Sequence, residues 1–156
     1  MGKKEQAEEL FTQGYNCAQA VVLAYADQTG MERETAARLA SSFGGGMGCL
    51  REVCGAVSGM FMVAGALYGY DDPKAPEEKK EHYQRIQELA AKFKEKNGSI
   101  VCRELLGLDG GAKRSTPELR TAEYYKKRPC KELVGMAADI LEASMREWDE
   151  KTGINR

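Results

Sequence analysis

The stretch Val53-Cys54-Gly55-Ala56-Val57-Ser58-Gly59-Met60-Phe61-Met62-Val63-Ala64-Gly65-Ala66-Leu67-Tyr68-Gly69-Tyr70 runs for 18 residues without a charge. That length stands near the lower limit for crossing a bilayer, so its reading separates a membrane span from a helical core. Gly55, Gly59, Gly65 and Gly69 interrupt it together with Ser58 and Cys54, and only Arg51 supplies a basic flank near its start. A buried helix fits better, because a helix apolar on all sides belongs at the centre of a bundle. Gly55 and Gly59, four apart, lie on one face and let a second helix approach. The expected fold is therefore all-α: one compact helical bundle over residues 1–156 around a central apolar helix at about residues 52–70.

The flanking sequence agrees. Alanine, glutamate, lysine and leucine dominate, and no sustained period-two alternation appears. Residues 3–11 place Ala7, Leu10 and Phe11 on one face and lead almost directly into a helix over 17–26. Residues 32–43 group Ala36, Leu39, Ala40 and Phe43 before Gly44, Gly45, Gly46 and Gly48 break the helix. Asp71, Asp72, Pro73 and Pro76 form a turn, after which residues 77–96 space Tyr83, Ile86, Ala90 and Phe93 as one apolar stripe. The last helix, 130–148, should bury Leu133, Met136, Ala137, Ile140, Leu141, Ser144 and Trp148. Thr116 and Pro117 resemble the start of a shorter helix through Tyr125. His82, the only histidine, stands in a charged helix and is expected at the surface.

Four of the five cysteines fall where a helix should begin. Asn16 caps the run that starts at Cys17, and the glycines before Val53 put Cys54 in or near the first turn of the central helix. Ser99 caps a short segment over 100–106 that contains Cys102 and stops at Gly107. Pro129 suits the first position of the last helix, directly before Cys130. A helix start offers unpaired N–H groups and a partial positive charge, which favour thiolate over thiol. The effect is small, ~0.3 to 1 kcal/mol for an adjacent charge, so basic neighbours must add to it. Arg51 near Cys54, Arg103 beside Cys102, and Arg128 and Lys131 flanking Cys130 are the candidates. Cys49 reads as a small core residue.

Length and charge exclude several classes. A chain of 156 residues buries roughly 70% of its unfolded surface and needs no disulfide to fold. Lys plus Arg is 23 against 24 Asp plus Glu, a balance that draws neither nucleic acid nor anionic membrane. The first residues lack the apolar core of a signal peptide, and a cytoplasmic location is expected. A reducing compartment turns several cysteines towards metal binding, transient redox chemistry or packing. The glycine-rich stretch 108–115 lacks the features of a phosphate loop, and no C-x-x-C-H haem attachment motif occurs.

Cys54-Gly55-Ala56-Val57-Ser58-Gly59 reads Cys-Gly-Ala-x-x-Gly, with Cys17 before it and Cys102 and Cys130 after it. In this order and spacing the chain resembles the C_GCAxxG_C_C family, from roughly residue 7 to residue 147. The resemblance implies a redox-active protein whose site residues are Cys17, Cys54, Cys102 and Cys130. A similar domain in split-Soret cytochromes implies an iron-sulfur site as a cofactor alternative. Cys49 lies outside the family pattern and inherits no role.

Four thiolates gathered without a cation would repel each other and reprotonate. The sulfurs therefore either work in pairs, one thiolate attacking and a neighbour resolving, or share an iron-sulfur cluster or zinc ion that supplies the balancing charge. The long gaps between cysteines match neither zinc-finger nor ferredoxin spacing. The expected function is thiol/disulfide exchange or electron transfer with a small-molecule or protein partner. Metal binding by the same four cysteines is the alternative, and a non-catalytic helical adaptor, with the glycine pair compatible with a homodimer, is the second. Glu52, Glu104 and Glu132 near the cysteines read as exposed first-turn carboxylates, and Tyr15, Tyr124 and Tyr125 as packing residues around Cys17 and Cys130.

Overall fold

The computed structural model describes residues 1–107, 119–122, 124 and 129–154. The stretch 108–115, half of the helix expected over 116–125, including Thr116, Pro117 and Tyr125, and Arg128 lie outside the described residues. Helices α1 (Lys3–Thr12), α2 (Cys17–Ala24), α3 (Ala26–Thr29), α4 (Arg33–Ser41) and a single turn, α5 (Gly44–Met47), make up the first part. They are followed by α6 (Gly55–Tyr68), α7 (Pro76–Asn97), the single turn α8 (Cys102–Leu105) and α9 (Cys130–Thr152). The fold class is all-α, as expected.

α2 and α6 form the centre. Asn16 and Gln19 close a capping box at the start of α2, the Asn16 Oδ1 accepting from Gln19 N–H at 2.9 Å and the Gln19 Oε1 from Asn16 N–H at 3.0 Å. From Ala20 to Ala24 every residue of α2 is buried. The helix expected to run to Ala26 breaks at Tyr25, which leaves helical geometry and donates its hydroxyl to the Ala138 carbonyl of α9 at 2.7 Å. The Gly55 and Gly59 face does receive a neighbour: a Cβ on Gly59 would lie 2.8 Å from Val21 Cβ and 3.1 Å from the Ala18 carbonyl of α2. Among the described residues no helix is long and apolar enough to cross a membrane, and α6 itself has 14 residues.

α7 opens with Pro76 at its first turn and closes on Gly98, whose φ is +86°. Its buried residues are His82, Leu89 and Phe93. Phe93 is buried and Ile86 half-buried as expected, but elsewhere the buried position shifts by one residue: His82 is 8% exposed against 49% for Tyr83, and Leu89 is buried where Ala90 is only half-buried. His82 faces inward beside Tyr70, its Nδ1 buried without a partner among the described residues, and burial followed by the Arg85 charge lowers its pKa. Packing of α7 against α6 and α9 outweighed the charged local sequence. α9 buries Leu133, Ala137, Ile140, Leu141, Ser144 and Trp148 as expected, with Met136 half-buried.

One feature had no sequence signal. Val53 and Val101 form an isolated antiparallel bridge, flanked by Cys54 N–H to Ile100 O at 2.8 Å and Cys102 N–H to Glu52 O at 2.6 Å. Side chains alternate along paired extended backbone, so Cys54 and Cys102 share the side opposite Val53 and Val101. Two sulfurs 48 positions apart are thereby aligned before any helix packing is considered.

Candidate functional site: a cavity lined by five cysteines

The helix starts carry the cysteines nearly as expected. Cys17 is the first residue of α2, Cys102 of α8 and Cys130 of α9, and Cys54 is the N-cap of α6. Two local readings shift: Pro129 is the N-cap rather than the first residue of α9, and Ser99 caps no helix. Its hydroxyl instead accepts from Val101 N–H at 2.9 Å, fixing the turn into the bridge.

The loop from α5 into α6 brings the remaining groups in. Gly45, Gly46, Met47, Gly48 and Cys49 all have positive φ, as does Arg51. Left-handed geometry is open to glycine but strains each other residue by ~1 to 2 kcal/mol. Hydrogen bonds from Cys49 N–H to Gly44 O at 3.2 Å, Arg51 N–H to Gly45 O at 3.2 Å and Glu52 N–H to Gly46 O at 2.9 Å hold the winding. Glycine is also needed for space. A Cβ on Gly46 would stand 2.6 Å from Cys102 Cβ, and one on Gly55 would stand 3.0 Å from Cys17 Cβ and 2.8 Å from the Phe43 carbonyl.

Cys17, Cys49, Cys54, Cys102 and Cys130 all line one cavity of about 350 Å3. None is in a disulfide. Cys49, read from sequence as a core residue, is half-exposed on the strained loop and faces the same space as the other four. Cys17 and Cys130 stand close enough for the Cys130 thiol to hold the proton on Cys17, and Cys130 likewise acts on Tyr124. Arg51 Nη1 lies 3.6 Å from Cys102 Sγ, within hydrogen-bond reach of a sulfur.

Helix starts alone do not make thiolates here. The thiol of Cys17 is held well above its ordinary range, first by its hydrogen bond to Cys130, then by burial and by the charges of Cys130, Cys54 and Cys102. Burial pushes the Cys54 thiol up to about 12, although the Ala56 and Val57 amides approach its sulfur and pull the other way. The magnitudes account for the outcome, since desolvation moves a buried group by up to ~3 to 5 units and a helix end by less than one. Cys102, on a helix of a single turn, has a guanidinium instead. Burial opposes the Arg51 charge, but the bond to Cys102, followed by the charges of Cys102, Cys49 and Cys130, raises the Arg51 pKa overall.

The basic partners differ from those expected. Arg51 serves Cys102 rather than Cys54, and Arg103 turns away to Glu52 at 3.0 Å and to the Arg51 carbonyl at 3.1 Å. Glu104 and Glu132 are exposed, as expected. Tyr124 lines the cavity, whereas Tyr15 packs beside Arg33. Sequence reading missed Arg120 altogether. It lines the cavity, donates to the Phe11 carbonyl and to the Tyr15 carbonyl at 2.7 Å, and stacks over the Phe11 ring at 4.0 Å. No motif marked it, because its role depends on a remote stretch of chain reaching α1.

Iron-sulfur or zinc ligation by Cys17, Cys54, Cys102 and Cys130 requires their sulfurs to meet at one centre. Among the described residues, no three His, Cys, Asp or Glu side chains are grouped to hold a metal ion. The sulfurs share a cavity without converging on a common centre, so in this arrangement they do not fit a tetrahedral ligand set.

A family model described as "Putative redox-active protein (C_GCAxxG_C_C)" matches residues 15–144. The chain belongs to the C_GCAxxG_C_C family. Neither a curated protein nor a solved structure matches it. The C_GCAxxG_C_C label writes Gly-Cys-Ala where this member has Cys54-Gly55-Ala56. In this order the cysteine caps α6, and the glycine behind it leaves room for Cys17.

The raised Cys54 pKa makes stability depend on alkali. Its ordinary value is 9.0 and its value in the fold about 12. Between the two, the unfolded chain releases the proton and the native state keeps it. The contribution is therefore complete below pH ~9 and falls by about 1.4 kcal/mol per pH unit towards 12. Unfolding free energies measured from about pH 9 to about pH 11 should fall less steeply in Cys54→Ala than in the wild type. Equal slopes would remove Cys54 from the account.

Proposed function

We propose that this C_GCAxxG_C_C protein is a thiol/disulfide redox protein in which Cys102 meets the oxidised partner and Cys17 with Cys130 stores the electron pair. The observation that carries the reading is the one cavity that Cys17 and Cys130 share with an arginine-supported Cys102, and Cys130 is the leading cause of the raised Cys17 pKa. Arg51 favours the thiolate of Cys102, the form that attacks sulfur. Cys102 attacks one sulfur of a disulfide RSSR, forming a mixed disulfide and releasing RS−, which takes the proton of Cys130. The Cys130 thiolate then attacks the Cys102 sulfur and expels the second RS−, which accepts the proton of Cys17. Finally Cys17 attacks Cys130 and returns Cys102 to its thiolate beside Arg51. One disulfide has gained two electrons and two protons, and the protein holds a Cys17–Cys130 disulfide.

The raised pKa of Cys17 suits the last place in this relay, since a protonated thiol does not attack until a base has taken its proton. Incubation of the protein in glutathione buffers of graded potential, followed by acid quenching and peptide mass spectrometry, tests the reading. A Cys17–Cys130 linked peptide is expected to rise with potential. Absence of any disulfide across the accessible range, or stoichiometric iron or zinc after anaerobic purification, would overturn it in favour of an adaptor or a metal protein.

A further inference from the structure

The walls of the cysteine cavity carry a charge pattern that disulfide exchange alone does not require. Arg51 and Arg120 line it, and among the described residues no Asp or Glu does. Leu105, Leu106, Leu133 and Phe11 supply apolar surface between them. A guanidinium at a cavity wall with no carboxylate beside it is poised for an anion, because it offers a planar fork of donors that matches a carboxylate.

Arg120 is held in place by neutral groups, whereas Arg51 faces the Cys102 sulfur. Arg120 is fixed by the Phe11 and Tyr15 carbonyls and by the Phe11 ring. Those partners orient the guanidinium but leave its net charge uncompensated. Arg51 reaches Cys102 through Nη1, while its Nε is buried with no hydrogen-bond partner among the described residues. A buried N–H without an acceptor loses ~1 to 3 kcal/mol of solvation that an incoming oxygen would restore. The volume, about 350 Å3, suits a small molecule and is too small for a folded partner.

We propose that this cavity takes a small disulfide bearing carboxylate groups, with Arg51 and Arg120 as anion anchors and the aliphatic side chains against its short carbon spacers. The inference rests on the thiol-exchange reading and deepens it by naming the substrate class. The exchange keeps the balance given above: the substrate's S–S bond breaks, two carboxylate-bearing thiols leave, and Cys17 and Cys130 end as a disulfide.

Three small disulfides of similar length separate charge from reactivity: 3,3′-dithiodipropionate, bis(2-hydroxyethyl) disulfide and cystamine, which are anionic, neutral and cationic. The oxidation rate of the reduced full-length protein by each is divided by the rate of the same disulfide with dithiothreitol, which removes differences in intrinsic reactivity. The normalised rate for the dicarboxylate should exceed that of the neutral compound at least about tenfold, the factor that one charge-assisted hydrogen bond supplies. Cystamine should be slowest, and added salt should narrow the spread. Arg120→Gln should lower the anionic-to-neutral ratio severalfold while the rate for the neutral compound stays unchanged, a change that a merely structural role for Arg120 would not produce. Equal normalised rates in the wild type would overturn the anion preference, and a tenfold ratio untouched by R120Q would overturn Arg120 as its anchor; both outcomes leave thiol exchange standing. Failure of all three compounds to oxidise the protein would overturn both.

Discussion

Gly55→Ala should destabilise the protein while Gly65→Ala, ten residues along the same helix, should stabilise it. Gly65 lies inside α6, where alanine gains about 1 kcal/mol of helix propensity, whereas Gly55 is its first residue and gains less. At Gly65 nothing lies within 4 Å of the added methyl, so the gain is kept. At Gly55 the methyl would meet the Phe43 carbonyl at 2.8 Å, Cys17 Cβ at 3.0 Å and Ala18 N at 3.1 Å, and two of these are backbone atoms that cannot turn aside. Overpacking of this kind costs ~1 to 3 kcal/mol, with more to be expected where backbone must move. Thermal unfolding should place the two variants on opposite sides of the wild type, by roughly 2 to 4 °C per kcal/mol in a chain of this size. If Gly55→Ala unfolds at or above the wild-type temperature, the close approach of α6 to α2 beside Cys17 is wrong. Because the added methyl presses on Cys17 itself, the same variant should also slow formation of the Cys17–Cys130 disulfide.

The second large effect belongs to Cys130. Cys130→Ala should abolish the two-electron oxidation, since the relay from Cys102 to Cys17 passes through this sulfur. It should also make Cys17 easier to ionise. The hydrogen bond to Cys130 is the leading cause of the raised Cys17 pKa, and the Cys130 charge adds to it, so both are removed together. Cys17 burial remains, and the shift should be downward but incomplete. Iodoacetamide labelling of Cys17 against pH reads this directly, with the labelling midpoint moving to lower pH in the variant. An unchanged midpoint, or a persistent Cys17 disulfide under oxidising buffer, would show that Cys130 is not its partner.

Much of the helical framework was legible locally. The capping box at Asn16, the proline opening α7 and the uncharged run of α6 each carry their cause within a few residues. The register of α7 was not, because Tyr83 and His82 are adjacent and only the position of α6 and α9 selects which of them turns inward. The left-handed loop was half legible: Gly45, Gly46 and Gly48 announced a break, but Met47, Cys49 and Arg51 adopt the same geometry without being residues that favour it. Their conformation is set by hydrogen bonds that exist only once the loop is wound.

The order of four cysteines and the Cys-Gly-Ala-x-x-Gly run determined, from sequence alone, the family and the positions of the sulfurs at helix starts, because capping and periodicity are short-range effects. Which sulfur stands beside which group was decided by the tertiary structure. The Val53–Val101 bridge sets Cys54 and Cys102 on one side, the winding of the loop delivers Arg51 to Cys102, and α1 anchors Arg120 at the cavity wall. Desolvation and charge depend on everything within several ångströms, whatever its distance along the chain. Helix starts that favour thiolate locally therefore ended, at Cys17 and Cys54, as protonated thiols.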